Sequence, residues 1–171
     1  RLTAGETLLV VGVGGGVSSF GLLLGVHTGA RVFGTSRDED KRRWALDMGA
    51  EGAFDSGEDF PVKADVVFEN VGPATWDRSL RALAPGGRLV TCGGTSGSKV
   101  EISLPRLFFK QYELIGSSMG SFGEFEEVSR MVGQGLPVPV DEVFDLDDFP
   151  KALERLEGGR QTGKIVLRHP H

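Results

Sequence analysis

The sequence predicts an α/β domain with a parallel, doubly wound, six-stranded sheet. Two features favour this class. Short apolar runs alternate with segments of helical periodicity from about residue 8 to residue 119. Glycines, 26 in a chain of 171 residues, close many of these segments without following a repeat period. Strands and helices that alternate in this way bury their apolar faces when the helices cover both faces of a parallel sheet.

The individual elements are predicted from apolar spacing and from the glycines that end them. The first run, Leu-Leu-Val-Val, is apolar throughout, which is typical of a strand covered on both faces. The first helix is expected to end at Gly29, a residue type suited to a left-handed C-cap. Trp76 and Leu80 place one apolar stripe on the third helix. The expected strands span residues 8–11, 31–35, 51–54, 65–68, 88–92 and 112–115, and the helices between them span 17–27, 38–48 and 74–84.

After about residue 119 the pattern changes to amphipathic helices. The spacing of Phe122 and Phe125 predicts one helix. A second helix is expected to begin near Phe149, with Asp145 or Asp147 as its cap. Short strands are expected over residues 138–144 and 164–167.

A glycine-rich turn joins the first strand to the first helix and reads Gly12-Val13-Gly14-Gly15-Gly16-Val17-Ser18. Glycines there let a pyrophosphate approach the free N–H groups of the helix N-terminus, where the helix dipole favours negative charge. Strict G-x-G-x-x-G spacing would need glycine in place of Val17, and Ser18 is instead the small residue expected at the helix–sheet contact. Because strand, turn and helix follow in the order of a Rossmann domain, the turn predicts dinucleotide binding.

The end of the second strand predicts which dinucleotide is bound. It reads Gly-Thr-Ser36-Arg37, and Lys41 follows one turn into the next helix. Ser36 can donate a hydrogen bond and Arg37 can bind a phosphate with two parallel bonds, which favours the 2′-phosphate of NADP(H). An acidic residue would instead bind the ribose 2′-hydroxyl of NAD. Asp38 keeps that alternative open, because it would reach the ribose if the strand ran two residues longer.

Further motifs follow in order: residues 65–72 (Asp-Val-Val-Phe-Glu-Asn-Val-Gly), 85–90 (Pro-Gly-Gly-Arg-Leu-Val), 93–95 (Gly-Gly-Thr) and 116–120 (Gly-Ser-Ser-Met-Gly). With the glycine turn, they make the chain similar to the cofactor-binding half of medium-chain dehydrogenases/reductases, the superfamily of zinc alcohol dehydrogenases and quinone oxidoreductases. The resemblance runs from Gly5 to Leu167. The chain departs from it at Ser18, where many relatives have glycine, and at Gly14, where others have Ser or Pro.

The resemblance implies which residues bind the cofactor. The pyrophosphate would lie against the glycine turn, at Gly12, Gly15, Gly16 and Val17, with Lys164 reaching back towards it. The 2′-phosphate would be bound by Ser36, Arg37 and Lys41. The adenine side or the nicotinamide ribose would contact Asn70 and Val71. The nicotinamide pocket would be lined through backbone groups by Cys92, Gly93, Gly94, Ser117 and Met119.

The resemblance also implies two parts, an NADP(H)-binding Rossmann domain at residues 1–119 and, at residues 120–171, a segment of the catalytic lobe. The family's catalytic domain precedes this region, supplies the substrate contacts and is absent from the sequence, so the resemblance places any zinc there. The full enzyme is expected to transfer a hydride between NADP(H) and a carbonyl, quinone or enone, and this chain alone is expected to bind the cofactor without turnover. No catalytic residue and no metal ligand is therefore predicted within it.

Three other interpretations compete with this one. One is a fragment of an NAD-dependent zinc alcohol dehydrogenase, and another is a non-enzymatic NADP(H)-binding domain. A methyltransferase also has a glycine turn after its first strand, but it would need an acidic residue where Ser36 stands.

Composition narrows the partners. A net charge of −5 favours neither nucleic acid nor a membrane surface. No apolar run reaches the roughly 18 residues of a membrane span, so a cytoplasmic protein is expected. The single cysteine, Cys92, excludes an internal disulfide and is expected to pack at the end of a buried strand. In the family the sixth strand pairs with its copy across a two-fold axis, so we expect a homodimer at this sheet edge, beside residues 107–109.

Overall fold

A parallel six-stranded sheet forms the centre of the molecule. The computed structural model describes residues 1–170. The strands are β1 (Thr7–Val11), β2 (Arg31–Thr35), β3 (Gly52–Phe54), β4 (Ala64–Glu69), β5 (Leu83–Thr91) and β6 (Glu113–Gly116), in the spatial order β3-β2-β1-β4-β5-β6. Every neighbouring pair is parallel. The strand order reverses between β1 and β4, at the switch point where open α/β sheets bind ligands. The predicted fold class is confirmed.

The helices are α1 (Gly16–Thr28), α2 (Glu39–Asp47), α3 (Trp76–Ala82), α4 (Leu104–Phe109), α5 (Phe122–Gly133) and α6 (Phe149–Glu157). As predicted, α1 ends at Gly29, whose φ of 81° is left-handed. The short helix α4 was missed by the sequence analysis. Its signal is local: the Ser103 hydroxyl accepts a hydrogen bond from the Arg106 N–H, and a proline lies in the first turn. None of the helices within residues 1–170 combines the length and the apolar character needed to cross a bilayer.

The sheet core has two sides, and β1 contributes to both. Leu8 and Val10 pack with Leu22 of α1, whereas Leu9 and Val11 pack with the side of the sheet covered by α3. This explains why β1 is apolar at every position. The C-terminal segment joins the first of these clusters through Met131, Val132 and Leu136. The predicted division at residues 119 and 120 stays a prediction.

Strand β5 differs from its prediction. It begins at Leu83, which pairs with Ala64, and the register then shifts before Arg88 pairs with Val66. The Pro-Gly-Gly stretch therefore forms an irregularity within the strand rather than a turn before it. A further correction concerns Cys92, which lies one residue beyond the end of β5 and is exposed. Its predicted packing role is wrong, because the strand ends before the chain reaches that residue.

The C-terminal segment forms a separate two-stranded parallel sheet from β7 (Val140–Asp145) and β8 (Lys164–Arg168). The predicted cap of α6 is wrong. A 3₁₀ turn (Leu146–Asp148) lies between β7 and α6, so Asp145 precedes that turn and Asp147 lies within it. Asp148 stands at the N-cap position of α6, but its side chain does not cap the helix and instead accepts a hydrogen bond from Lys151 at 2.7 Å.

Candidate cofactor-binding site

A cavity of about 830 Å³ lies at the switch point, beside the carboxyl ends of β1, β2 and β4. This volume is within the range of small-molecule and cofactor sites, which is about 300–1,000 Å³. Three segments supply most of its wall: the glycine turn, the segment that follows β2, and the loop that follows β4. The residues contributed by these segments are Gly12, Val13, Gly15, Ser36, Arg37, Asp38, Val71, Ala74 and Thr75.

The glycine turn leaves the N-terminus of α1 open towards this cavity. Gly12 and Gly14 have φ values of 77° and 97°, which side chains rarely adopt. A Cβ at Gly12 would also lie 3.0 Å from a methyl group of Val71. Within the described chain, no side chain caps α1, whose N-cap residue is Gly15. The first N–H groups of the helix therefore have no side-chain acceptor, which suits the binding of an anion.

Ser18 occupies the helix–sheet contact, as predicted. Its side chain is buried, and its hydroxyl donates a hydrogen bond to the Val11 carbonyl at 3.1 Å. The Asn70 amide donates to the same hydroxyl at 3.2 Å. This hydroxyl links the first turn of α1 to the loop after β4, so the two walls of the cavity share one hydrogen-bond network.

The segment after β2 bears on the choice between NADP and NAD. Strand β2 ends at Thr35, so it does not run two residues longer, as the NAD alternative required. The Asp38 carboxylate instead caps α2, accepting hydrogen bonds from the backbone N–H groups of Asp40 (2.9 Å) and Lys41 (3.2 Å). Arg37 lines the cavity, is exposed and forms none of the ion pairs found within residues 1–170. Its guanidinium is available to an anion.

Two predicted lysines connect the glycine turn to the C-terminal segment. The Lys41 side chain lies over Gly14, and its ammonium donates to the Gly159 carbonyl at 2.6 Å. Lys164 lies over Gly16, where an added Cβ would be 2.8 Å from its Nζ. The ammonium of Lys164 is therefore next to the N-terminus of α1. The contact between Lys41 and Gly159 could not be read from the sequence, because 118 residues separate the two partners.

Asp141 stabilises the loop between α6 and β8, which contains Gly159. Its side chain, 9% exposed, accepts hydrogen bonds from Arg155 and from the Thr162 N–H, the latter at 2.9 Å. The hydrogen bond from Arg155 is the main cause that lowers the pKa of Asp141 below its ordinary value, and burial opposes this shift. Asp141 thereby joins β7, α6 and the approach to β8.

Replacing Asp141 by asparagine should lower the free energy of unfolding at pH 7 by about 1–2 kcal/mol, because the charged hydrogen bond to Arg155 is lost. The folded pKa is depressed, so the carboxylate stabilises the protein above its unfolded pKa of about 3.8. That contribution is lost as the pH falls through the folded pKa. Urea unfolding from pH 7 to pH 3 should show the two proteins converging. The exposed Asp147→Asn is the control, and a constant difference between Asp141→Asn and wild type at every pH would contradict the assignment.

Glu69 organises the loop after β4, a role that was not predicted from the sequence. Its carboxylate is fully buried at the end of β4. One oxygen accepts from the N–H groups of Val71 (2.6 Å) and Gly72 (3.0 Å), and the other accepts from the hydroxyls of Thr75 (2.8 Å) and Ser79 (2.6 Å). An acidic residue directly after the apolar run Val66-Val67-Phe68 was the available signal. Glu69 thus fixes the loop that contributes one wall of the cavity.

The residues predicted for the nicotinamide pocket lie at the ends of β5 and β6, outside the lining of this cavity. They are Cys92, Gly93, Gly94, Ser117 and Met119. The Ser117 N–H donates to the Thr91 carbonyl at 2.9 Å, which keeps the two strand ends together. Met119 is 97% exposed. The roles of these five residues stay predictions.

Two further predictions remain untested. No three metal-binding side chains come together within residues 1–170 in a way that could hold an ion. Strand β6 is an edge strand, and the adjacent α4 exposes Phe108 and Phe109. These observations suit the expected homodimer, which stays a prediction.

Comparison with models of known protein families identifies the family of this chain. The model of the zinc-binding dehydrogenases matches residues 16–134. The chain belongs to this family. The predicted resemblance to the cofactor-binding half of medium-chain dehydrogenases/reductases is thereby confirmed, and the matched region begins within the glycine turn, at Gly16.

Individual members of the zinc-binding dehydrogenase family match nearly the whole chain. An acryloyl-coenzyme A reductase of Metallosphaera sedula is 30% identical over 98% of this chain and 52% of its own length. A quinone oxidoreductase of Pseudomonas aeruginosa is 27% identical over 98% of this chain and 58% of its own length.

Solved structures of the family also superpose on nearly the whole of this chain. A putative alcohol dehydrogenase from Sinorhizobium meliloti has a TM-score of 0.90 and 33% identity, covering 99% of this chain and 50% of its own. An NAD-dependent alcohol dehydrogenase has a TM-score of 0.89 and 30% identity, covering 97% of this chain and 52% of its own. The chain therefore spans about half the length of these relatives.

Proposed function

We propose that this chain is the NADP(H)-binding half of an oxidoreductase that transfers a hydride between the nicotinamide ring and a carbonyl, quinone or enone. The observation that carries the proposal is that Arg37 lines the cavity without a carboxylate partner within residues 1–170, because the neighbouring Asp38 carboxylate caps α2 instead. A cation without a carboxylate partner suits a 2′-phosphate.

The site fits a dinucleotide on grounds that do not depend on its relatives. At Gly12 the left-handed backbone and the methyl group of Val71, 3.0 Å from an added Cβ, disfavour a side chain, and the N-terminus of α1 offers N–H groups without a side-chain cap. Lys164 adds a positive charge beside that N-terminus. When bound, the dinucleotide supplies the hydride, and the protein's part is to bind and orient it. In this proposal the glycine turn and Lys164 bind the pyrophosphate, and Ser36 with Arg37 binds the 2′-phosphate.

The substrate class is proposed from the names of the relatives. One is named for acryloyl-coenzyme A and another for a quinone. Both compounds contain a carbonyl conjugated to a double bond, which accepts hydride. We place the substrate contacts, and any zinc, in the half of these relatives that the present chain does not match.

An NAD-dependent alcohol dehydrogenase is the second candidate. One relative of solved structure bears that name. Asp38 also lines the cavity, and its carboxylate is the group that would bind a free ribose 2′-hydroxyl. This candidate requires the Asp38 carboxylate to accept a hydrogen bond from the ribose while it also caps the N-terminus of α2.

Replacing Arg37 by alanine should weaken NADPH binding about 10- to 100-fold and change NADH binding less than about twofold, because only NADPH carries the phosphate. Calorimetric titration at matched ionic strength measures both. Arg130→Ala, which removes an exposed arginine of α5 outside the cavity lining, is the control and should alter neither. Tighter binding of NADH than NADPH by the wild-type chain would favour the Asp38 candidate. Equal losses for both dinucleotides in Arg37→Ala would remove Arg37 from the 2′-phosphate.

A further inference from the structure

Arg78 of α3 lies in the wall of the cavity, and neither the glycine motifs nor the strand ends pointed to it. Its Nη2 donates a hydrogen bond to the Ala74 carbonyl at 2.9 Å, which holds the guanidinium in place. Its Nε is buried and has no hydrogen-bond partner within residues 1–170. Because Nε is buried, a ligand can reach Arg78 only through the remainder of its guanidinium, since the residue as a whole is partly exposed.

Arg78 also differs from most arginines of the described chain, because it has no carboxylate partner. Most arginines of the described chain form ion pairs with carboxylates. Within residues 1–170 the exceptions are Arg37, Arg78, Arg130 and Arg160. Of these four, only Arg37 and Arg78 line the cavity. Arg37 follows β2 and Arg78 follows β4, and these two strands flank β1 in the sheet. The cavity therefore has one unpaired guanidinium on each side.

The lining also limits which groups can stack on a planar base. Among the described residues that line the cavity, none has an aromatic ring. Adenine binding in proteins commonly uses a planar partner, and the guanidinium of arginine stacks on aromatic faces. Here the planar groups with a positive charge are those of Arg37 and Arg78. The proposed function assigns Arg37 to the 2′-phosphate, which leaves Arg78 for the base attached to the same ribose.

We propose that Arg78 is a cofactor-binding residue that stacks its guanidinium on the adenine ring of the bound dinucleotide. This inference rests on the proposed function, because it requires that a dinucleotide occupies the cavity. Arg78 then recognises a group common to NADPH and NADH, whereas Arg37 recognises the group that distinguishes them. The two arginines have separable effects on binding.

The test is a set of calorimetric titrations of the chain with NADPH, NADH and 2′,5′-ADP, which contains the adenosine with one 2′-phosphate and one 5′-phosphate but no nicotinamide. Arg78→Ala should weaken all three by a similar factor of about ten. Arg78→Lys should be equally weak, because it keeps the charge but loses the plane. Arg78→Tyr should recover most of the affinity, because it restores a planar face without the charge. Arg37→Ala should instead weaken NADPH and 2′,5′-ADP and spare NADH.

Thermal unfolding of each variant checks the fold, and Arg130→Ala is the matched control. Should Arg78→Ala fail to fold, Arg78→Lys and Arg78→Tyr decide the question, because both keep a long side chain at this position of α3. Wild-type affinity in Arg78→Lys would show that charge alone matters and would overturn stacking. A loss confined to the ligands with a 2′-phosphate would also overturn it. If the wild-type chain binds neither NADPH nor NADH, the proposed function fails, whereas binding that Arg78→Ala leaves unchanged contradicts only this inference.

Discussion

Replacing Glu69 by alanine should lower the free energy of unfolding by about 4 kcal/mol. The carboxylate is fully buried and accepts four hydrogen bonds, two from backbone N–H groups and two from hydroxyls. Each buried donor that loses its acceptor costs about 1–3 kcal/mol, and some of that cost is recovered when water enters the space. Small domains have only about 5–15 kcal/mol of stability, so this loss would leave little reserve.

Urea unfolding measures the effect, and two comparisons show its origin. Glu69→Gln keeps the shape and one accepting oxygen but turns an amide towards hydroxyl donors, so about half of the loss is expected. Glu127→Ala removes an exposed carboxylate of α5 and should change the free energy of unfolding by less than about 0.5 kcal/mol. A loss below about 1 kcal/mol in Glu69→Ala would show that the loop after β4 does not depend on the carboxylate.

Replacing Gly163 by alanine should lower the free energy of unfolding by about 3 kcal/mol and weaken cofactor binding as well. Gly163 has a φ of 96°, and its added Cβ would lie 2.1 Å from the Pro139 carbonyl oxygen. The strain of that backbone conformation and the displacement of a main-chain group contribute together. Gly163 also donates its N–H to the Gly14 carbonyl at 3.0 Å, so a shift there moves Lys164 away from the glycine turn.

Gly135→Ala provides a control outside the cavity lining. Its φ of 107° is also left-handed, but an added Cβ would meet nothing within 4 Å. It should therefore show only the conformational cost, about 1 kcal/mol. Thermal unfolding and NADPH titration of both variants separate strain from contact. Equal effects at the two positions would mean that the contact with Pro139 is relieved by a small movement of the chain.

Local patterns were sufficient wherever a feature depends on residues close together in the chain. The uniformly apolar β1 predicted a strand covered on both faces, and Gly29 predicted the end of α1. Ser18 was correctly placed at the helix–sheet contact, because the glycine turn sets which residue of α1 faces β1. The cap formed by Asp38 also depends only on residues two and three positions away, although the sequence left its role open.

Hydrophobic periodicity and turn chemistry act over a few residues, so they were enough to predict the fold class, the position of the glycine turn and the family. The folded structure was needed to show that Lys41 contacts Gly159 and that Glu69 fixes the loop after β4. It also decided that Arg78 faces the same cavity as Arg37. The contact of Lys41 joins segments 118 positions apart, and the two arginines follow strands on opposite sides of β1. The partners of Glu69 lie two to ten residues further along the chain, and the turn of the loop into α3 brings them together. Which side chains then share a cavity depends on strand order and helix packing, and local spacing carries no record of either.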